Sequence, residues 1–390
     1  MRKNLLAFSV LLATPLCALA ASSVTLYGVV DEAAAFRHSS LKVSTPHASV
    51  HSSDNTVSMD AGNLMANRWG IKGTEDLGSF KVGFVLESGF SADNGALGYG
   101  GRLFGRESQL NVSGNWGLLA AGRVGPFVSG NGSFNMLASM APWGNQIANY
   151  MTGTNSVMSY VGSRIDDSVT YVSPTFSGFS FRAQYSGRVD AQKSDVQNKA
   201  SVTRYGAVAG MYKSGALYLG LMGDVTLYGH EPGKRPSNGN TITLGGSYDF
   251  TSVKYYLAAQ YFRNVLNSTF SAGAIKTFQN SLKLAVPTLA SETTYMNGFG
   301  VVTGVDVPMF SGVFKAAVAY LDGKSHKDKN GYGEKIDFDR YGATIGFNYP
   351  LSKRSTIYSA LGYQHDKVKL HGAEVKQSDV KALLGLCHRF

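Results

Sequence analysis

The sequence predicts an all-β chain, a 16-stranded antiparallel transmembrane β-barrel. Three observations point there: segments that alternate apolar and polar side chains, short and long connections that take turns along the chain, and an unusual composition. The 390 residues include 46 Gly, 21 Phe and 21 Tyr, while charged residues make up only 16 %. Soluble domains carry about 25 % charge, and a polytopic helical protein needs apolar runs of about 18 residues or more. No such run occurs. The abundance of aromatics also excludes a disordered chain.

The alternation is clearest in three segments. Phe80, Val82, Phe84 and Leu86 oppose Lys81, Gly83, Val85 and Glu87. Phe179, Phe181, Ala183 and Tyr185 oppose Ser180, Arg182, Gln184 and Ser186. Tyr341, Ala343, Ile345, Phe347 and Tyr349 oppose Arg340, Gly342, Thr344, Gly346 and Asn348. Successive strand residues point to opposite faces, so each segment has one apolar face edged by an aromatic. A lipid-facing band between aromatic girdles needs that pattern. A soluble β-sandwich also alternates, but its outer face is polar.

Short connections fall at 75–79, 114–116, 174–178, 213–215, 250–252, 308–311 and 350–354. Long ones, rich in Ser, Asn, Gly and Lys, fall at 38–66, 91–101, 126–162, 189–201, 229–239, 265–292, 322–336 and 368–379. Tight turns at one end and large loops at the other describe an up-and-down barrel, and the boundaries count to an even number of strands, as closure demands. Sixteen strands of about 11 residues use roughly 176 positions; the rest of the chain sits in loops.

The N-terminus reads as a signal peptide over 1–20, leaving residues 21–390 as the barrel domain. Arg2 and Lys3 precede a short apolar run, and Ala18-Leu19-Ala20 supplies small residues for cleavage. Cleavage removes Cys17 and leaves Cys387 alone, so no internal disulfide forms. The remaining 34 basic and 26 acidic residues suit an anionic surface or anionic solutes. Export argues against nucleic acid as the partner.

Several segments resemble the general outer-membrane porin family of Gram-negative, beta-proteobacterial type. They are Ser22-Ser23-Val24-Thr25-Leu26-Tyr27-Gly28-Val29-Val30-Asp31, Asn67-Arg68-Trp69-Gly70-Ile71-Lys72-Gly73-Thr74-Glu75-Asp76-Leu77-Gly78, Leu86-Glu87-Ser88-Gly89-Phe90, Arg102-Leu103-Phe104-Gly105-Arg106, Ala121-Gly122-Arg123 and the turn Ser173 to Phe179. The chain closes on Cys387-His388-Arg389-Phe390, whose last aromatic resembles the family's assembly signal.

The resemblance implies a homotrimer in outer-membrane lipid and lipopolysaccharide, built by the barrel-assembly machinery, through which small anions and polar solutes diffuse. It also implies that the third loop folds inward, and 126–162 is long enough to do so. Arg68, Arg106 and Arg164 match the basic side of the family's constriction, with Arg123 a further candidate. Asp31, Glu87 and Glu107 are the acidic groups available to pair with them. Alternation places Arg106 on the face of Leu110 and Val112, so its inward direction needs a bulge or a position above the lipid band. No Asp or Glu lies between Glu107 and Asp166, so the loop opposite the basic wall is neutral. That combination favours anions.

Neither a cofactor nor a metal is implied. His38, His47 and His51 read as parts of a solvated first loop, and Gly98 to Gly101 reads as flexible loop. A barrel hydrolase would need a Ser–His pair or an Asp–His cluster; His365 and His388 have no nucleophile motif beside them. An adhesin or receptor acting through the loops is the remaining alternative.

Overall fold

A sheet that alternates apolar and polar faces can cross a bilayer only if every backbone group is paired, which requires that the sheet close on itself. The computed structural model describes residues 23–144, 152–230, 237–266, 295–325, 336–370 and 372–390. The proposed signal peptide and parts of five of the long connections lie outside them.

The wall begins with β1 (Ser23–Ser44), β2 (Ser49–Ala61), β3 (Arg68–Asp76), β4 (Lys81–Gly89), β5 (Glu107–Gly114) and β6 (Gly117–Val124). It continues with β7 (Ile165–Val172), β8 (Phe179–Ser186), β9 (Arg204–Ser214), β10 (Leu217–Leu227), β11 (Gly239–Asp249) and β12 (Lys254–Leu266). The last five are β13 (Tyr295–Met309), β14 (Gly312–Ser325), β15 (Ile336–Pro350), β16 (Ser355–Leu370) and β17 (Ala373–Arg389). Each pairs antiparallel with its neighbours, and β17 closes the barrel on β1 from Val29–Arg389 to Ser44–Glu374. Both β2 and β3 pair with β1, over different stretches of it, so the seventeen segments fill sixteen positions.

The three diagnostic segments become β4, β8 and β15. In β8, Phe179, Phe181, Ala183 and Tyr185 point outward, while Ser180, Gln184 and Ser186 are buried inside. In β15, Tyr341, Ala343, Ile345 and Tyr349 are outward and Gly342, Thr344 and Gly346 inward. All seven tight turns fall where the sequence puts them.

The expected first loop at 38–66 is mostly strand. Here β1 runs on to Ser44, a turn closed by Thr45 N to Ala48 O (2.8 Å) follows, and β2 returns. The polar composition that suggested a loop is compatible with a strand that stands in water on both faces, because the backbone ladder needs no apolar side chain. His38 Nδ1 faces Asn55 Oδ1 at 2.8 Å and His51 Nε2 faces Ser40 Oγ at 3.1 Å, so both histidines are rungs of this hairpin. The connection at 368–379 is likewise strand for most of its length, with Lys376 on Glu374 at 2.6 Å.

Phe390 seals the seam. Its N–H donates to Gly28 O (3.2 Å), its carbonyl accepts from Gly28 N (3.1 Å), and its ring lies where a Cβ on residue 28 would stand. Deleting Phe390 removes both bonds and the ring. The expected outcome is a lower yield of closed barrel, measured as the fraction migrating at the compact position on an unheated denaturing gel.

Candidate functional site

The described part of the long connection 125–164 lies inside the barrel. Phe127, Met136, Leu137, Met140 and Met158 are fully buried and pack with Met222 of β10, Phe262 of β12 and Leu321 of β14. These wall residues point into the lumen and are apolar, so wall and loop cover each other and both leave water. The loop's backbone is satisfied from the wall as well. Tyr218 Oη donates to Met136 O (3.2 Å), Arg182 Nη1 to Phe134 O (2.8 Å), and Gln260 bonds both the N–H and the carbonyl of Ser159 (2.6 and 3.0 Å). At β13 the approach is so close that a Cβ on Gly300 would collide with Val157 O.

The loop therefore lies against β8 to β15 and faces the wall made by β1 and β3 to β5. On that wall Glu87 of β4 stands between two arginines. Arg106 Nε lies 2.7 Å from Glu87 Oε1, Arg68 Nε 3.6 Å from Oε2, and Tyr27 Oη donates to Oε2 at 3.1 Å. A cavity of about 690 Å³ separates loop from wall; Arg68, Glu87, Arg106 and Glu107 line one side, and Asn131, Ser133, Ala138 and Trp143 the other. Both Arg68 and Arg106 follow breaks in pairing. The chain leaves the wall at 62–67 before β3, and Arg106 precedes the first residue of β5. Arg106 N still donates to Glu87 O (3.1 Å) although Glu87 is the register partner of Glu107, so two residues stand opposite one at the start of β5, and this irregularity re-aims Arg106 inward.

Arg164 joins the group from behind. Its Nε donates to Arg106 O and its Nη1 to Ser163 O (2.7 Å). The Tyr99 ring lies 5.5 Å from the Arg164 guanidinium and 5.9 Å from that of Arg106, and Tyr99 Oη accepts from Arg106 Nη1 at 3.0 Å. Arg164 and Arg106 are about equally buried, at 4 % and 5 % exposed, but Arg106 lines the cavity and Arg164 does not. Tyr99 comes from the glycine run read as flexible loop; nothing in its spacing announces that it will be wedged between two cations.

Arg123, the fourth candidate, does not line the cavity, although its Nε donates to Gly105 O beside Arg106 (2.8 Å). The β6–β7 register shifts between Gly122 and Val124, and at this irregularity Arg123 Nη1 bonds Asp166 Oδ1 (2.5 Å), which Arg102 Nη1 also holds at 2.8 Å. It braces the wall. Among the described residues neither Asp31 nor Glu107 forms an ion pair with an arginine, so of the three candidate acidic partners only Glu87 holds one. Asp31 Oδ2 accepts from Leu64 N and Met65 N (2.7 and 2.6 Å) and its Oδ1 from Tyr358 Oη, anchoring the break between β2 and β3. Glu107 accepts from Gln109 Nε2 (2.6 Å) and from Ser133 N of the loop (3.2 Å). Its work is to hold the loop's near edge.

A family model described as Gram-negative porin matches residues 7–369. An outer membrane porin protein of Bordetella pertussis is 30 % identical, and outer membrane porin protein 32 of Delftia acidovorans 28 %, each over the whole of both chains. Among solved structures, the anion-selective porin from Comamonas acidovorans superposes with a TM-score of 0.61 at 22 % identity, covering 95 % of this chain and all of that one. The trimer form of in-vitro folded OmpT of Vibrio cholerae gives 0.53 at 12 % identity, covering 93 % and 99 %. A closed sixteen-position barrel with a loop drawn into its bore, matched along its length by outer-membrane relatives, is a water-filled outer-membrane channel, and the chain belongs to the Gram-negative porin family.

Proposed function

We propose that this channel passes small anions in preference to cations, and that Arg68 and Arg106 present the charge that solutes meet, with Arg164 reinforcing it from behind Tyr99. The observation that carries the reading is a basic wall opposed by a loop without a single carboxylate: three arginines against Glu87 and Glu107, and nothing acidic from residue 108 to 165. Much of the other lumenal positive charge is cancelled locally. Arg37 pairs with Asp379 (2.7 Å), Arg340 with Asp366 (2.6 Å), Lys315 with Asp306 (2.6 Å), and Lys381 with Asp60. The surplus is therefore concentrated beside the cavity between loop and wall, and a low-dielectric passage focuses it. The anion selectivity named for the Comamonas protein agrees with this sign.

The process is passive diffusion, without a covalent step. The trimer form of one structural neighbour supports assembly as a homotrimer, and the N-terminal pattern supports removal of residues 1–20 on export. A planar bilayer holding the purified channel under a KCl gradient tests the selectivity. The reversal potential is expected on the chloride side of zero, and a value on the potassium side would overturn the assignment.

A further inference from the structure

A loop without carboxylates can be fastened only through its backbone and its neutral side chains. Backbone carbonyls are acceptors, so the wall must supply donors. Three of the donors it supplies are cations: Arg182, which holds Phe134 O, and the two on the far wall. Lys315 Nζ of β14 donates to Pro142 O at 2.9 Å, and Arg340 Nη1 of β15 donates to Ser156 O at 3.0 Å. They grip the loop on either side of 145–151. Each of these two is in turn held by its own carboxylate. Asp306 Oδ2 takes Lys315 at 2.6 Å and Tyr256 Oη at 2.9 Å, while Asp366 takes Arg340 through Nε (2.7 Å) and Nη2 (2.6 Å). Lys315 also lies 5.5 Å from the Trp143 ring of the loop.

We propose that Lys315 and Arg340 are positioning residues that set the width of the bore, and that they contribute little to its ion preference. This rests on the reading of the chain as a diffusion pore. Their charges are neutralised within hydrogen-bonding distance, so the field at the cavity is left to Arg68, Arg106 and Arg164. Their geometry is what the pore uses: a charged donor bonds a carbonyl more strongly than a neutral one, and the acid behind it fixes the direction from which it donates.

The test removes donor and counter-charge together, so that no bare carboxylate enters the lumen. Lys315→Met with Asp306→Asn, and separately Arg340→Met with Asp366→Asn, are compared with Lys315→Arg, which retains a charged donor. Single-channel conductance, the size limit for sugars in liposome swelling and the KCl reversal potential are read on protein that shows the compact gel mobility. Conductance is expected to rise by about 1.5-fold in each paired variant, because a loop that loses a tether widens the path. The sugar size limit should rise with it, the reversal potential should stay at the wild-type value, and Lys315→Arg should behave as wild type. Unchanged conductance and size limit in the paired variants overturn the proposal, as does a reversal potential that moves while the size limit does not. Should a paired variant fail to assemble, Lys315→Gln with Asp306→Asn, whose shorter side chain does not reach Pro142 O, is read by the same criteria. A wild-type protein with no conductance refutes the pore reading itself, an outcome distinct from all of these.

Discussion

Alanine at both Arg68 and Arg106 is expected to turn an anion-preferring channel into one that prefers cations. The two side chains flank Glu87 at 3.6 and 2.7 Å. Without them the wall keeps Arg164 against Glu87 and Glu107, so the formal charge at the eyelet changes sign. The inversion should be largest in dilute salt, where the Debye length reaches about 30 Å at 0.01 M, and should shrink toward 1 M, where it is about 3 Å. Removing partners from a buried carboxylate destabilises by about 3–5 kcal/mol, so Glu87→Gln is added in a second variant. That triple variant carries Arg164 against Glu107 alone, and its reversal potential is expected near zero. Arg164→Ala alone should reduce the anion preference less than Arg106→Ala does, because Arg164 acts from behind the wall. If the double variant kept the wild-type reversal potential, these side chains would not shape the permeation path.

A side chain at residue 300 is expected to push the loop off the wall. Gly300→Val places methyl groups where Val157 O now lies, and two backbones held by hydrogen bonds on both sides have little freedom to separate. Overpacking of this kind costs about 1–3 kcal/mol, which the barrel can relieve by releasing residues around 157 into the bore. The expected result is a lower melting temperature together with noisy, altered single-channel conductance. Gly206→Ala, where the added methyl meets nothing nearer than Val225 Cγ1 at 3.7 Å, is the control and should match wild type in both measurements. Identical behaviour of the two variants would show that the loop does not depend on the close approach at β13.

The faces of β4, β8 and β15 could be read from their residues because a barrel wall has two unlike solvents, and each side chain declares which one it meets. The tight turns were legible for a related reason: they are short and carry Gly, Pro and Ser. The ends of the β1–β2 hairpin and of β16–β17 were not legible. Above the bilayer both faces are wet, so alternation disappears although the ladder continues, and Ser, His and Asn look the same in a strand as in a loop. Arg106 departs from the period-two pattern one residue before β5, where it and Glu107 both stand opposite Glu87. Among the candidate carboxylates Glu87 meets its arginines, whereas Asp31 and Glu107 are taken up by backbone N–H groups that come from distant parts of the chain.

Residue order alone established the class of fold, the direction of the faces of β4, β8 and β15 and the absence of acid in the third loop. Each of these depends on local pattern or on composition, which a linear chain displays openly. Which arginine touches the cavity, which stands behind Tyr99, which merely braces a bulge with Asp166, and which wall cations are spent on carbonyls of the loop could be known only after closure. Pairing of β3, β4 and β5 brings residues 68, 87 and 106 to one point, and closure carries residues 142 and 156 across the lumen to 315 and 340. A charge acts on solute through what remains after its neighbours have paired with it, and in a barrel those neighbours are chosen by strand register and loop packing.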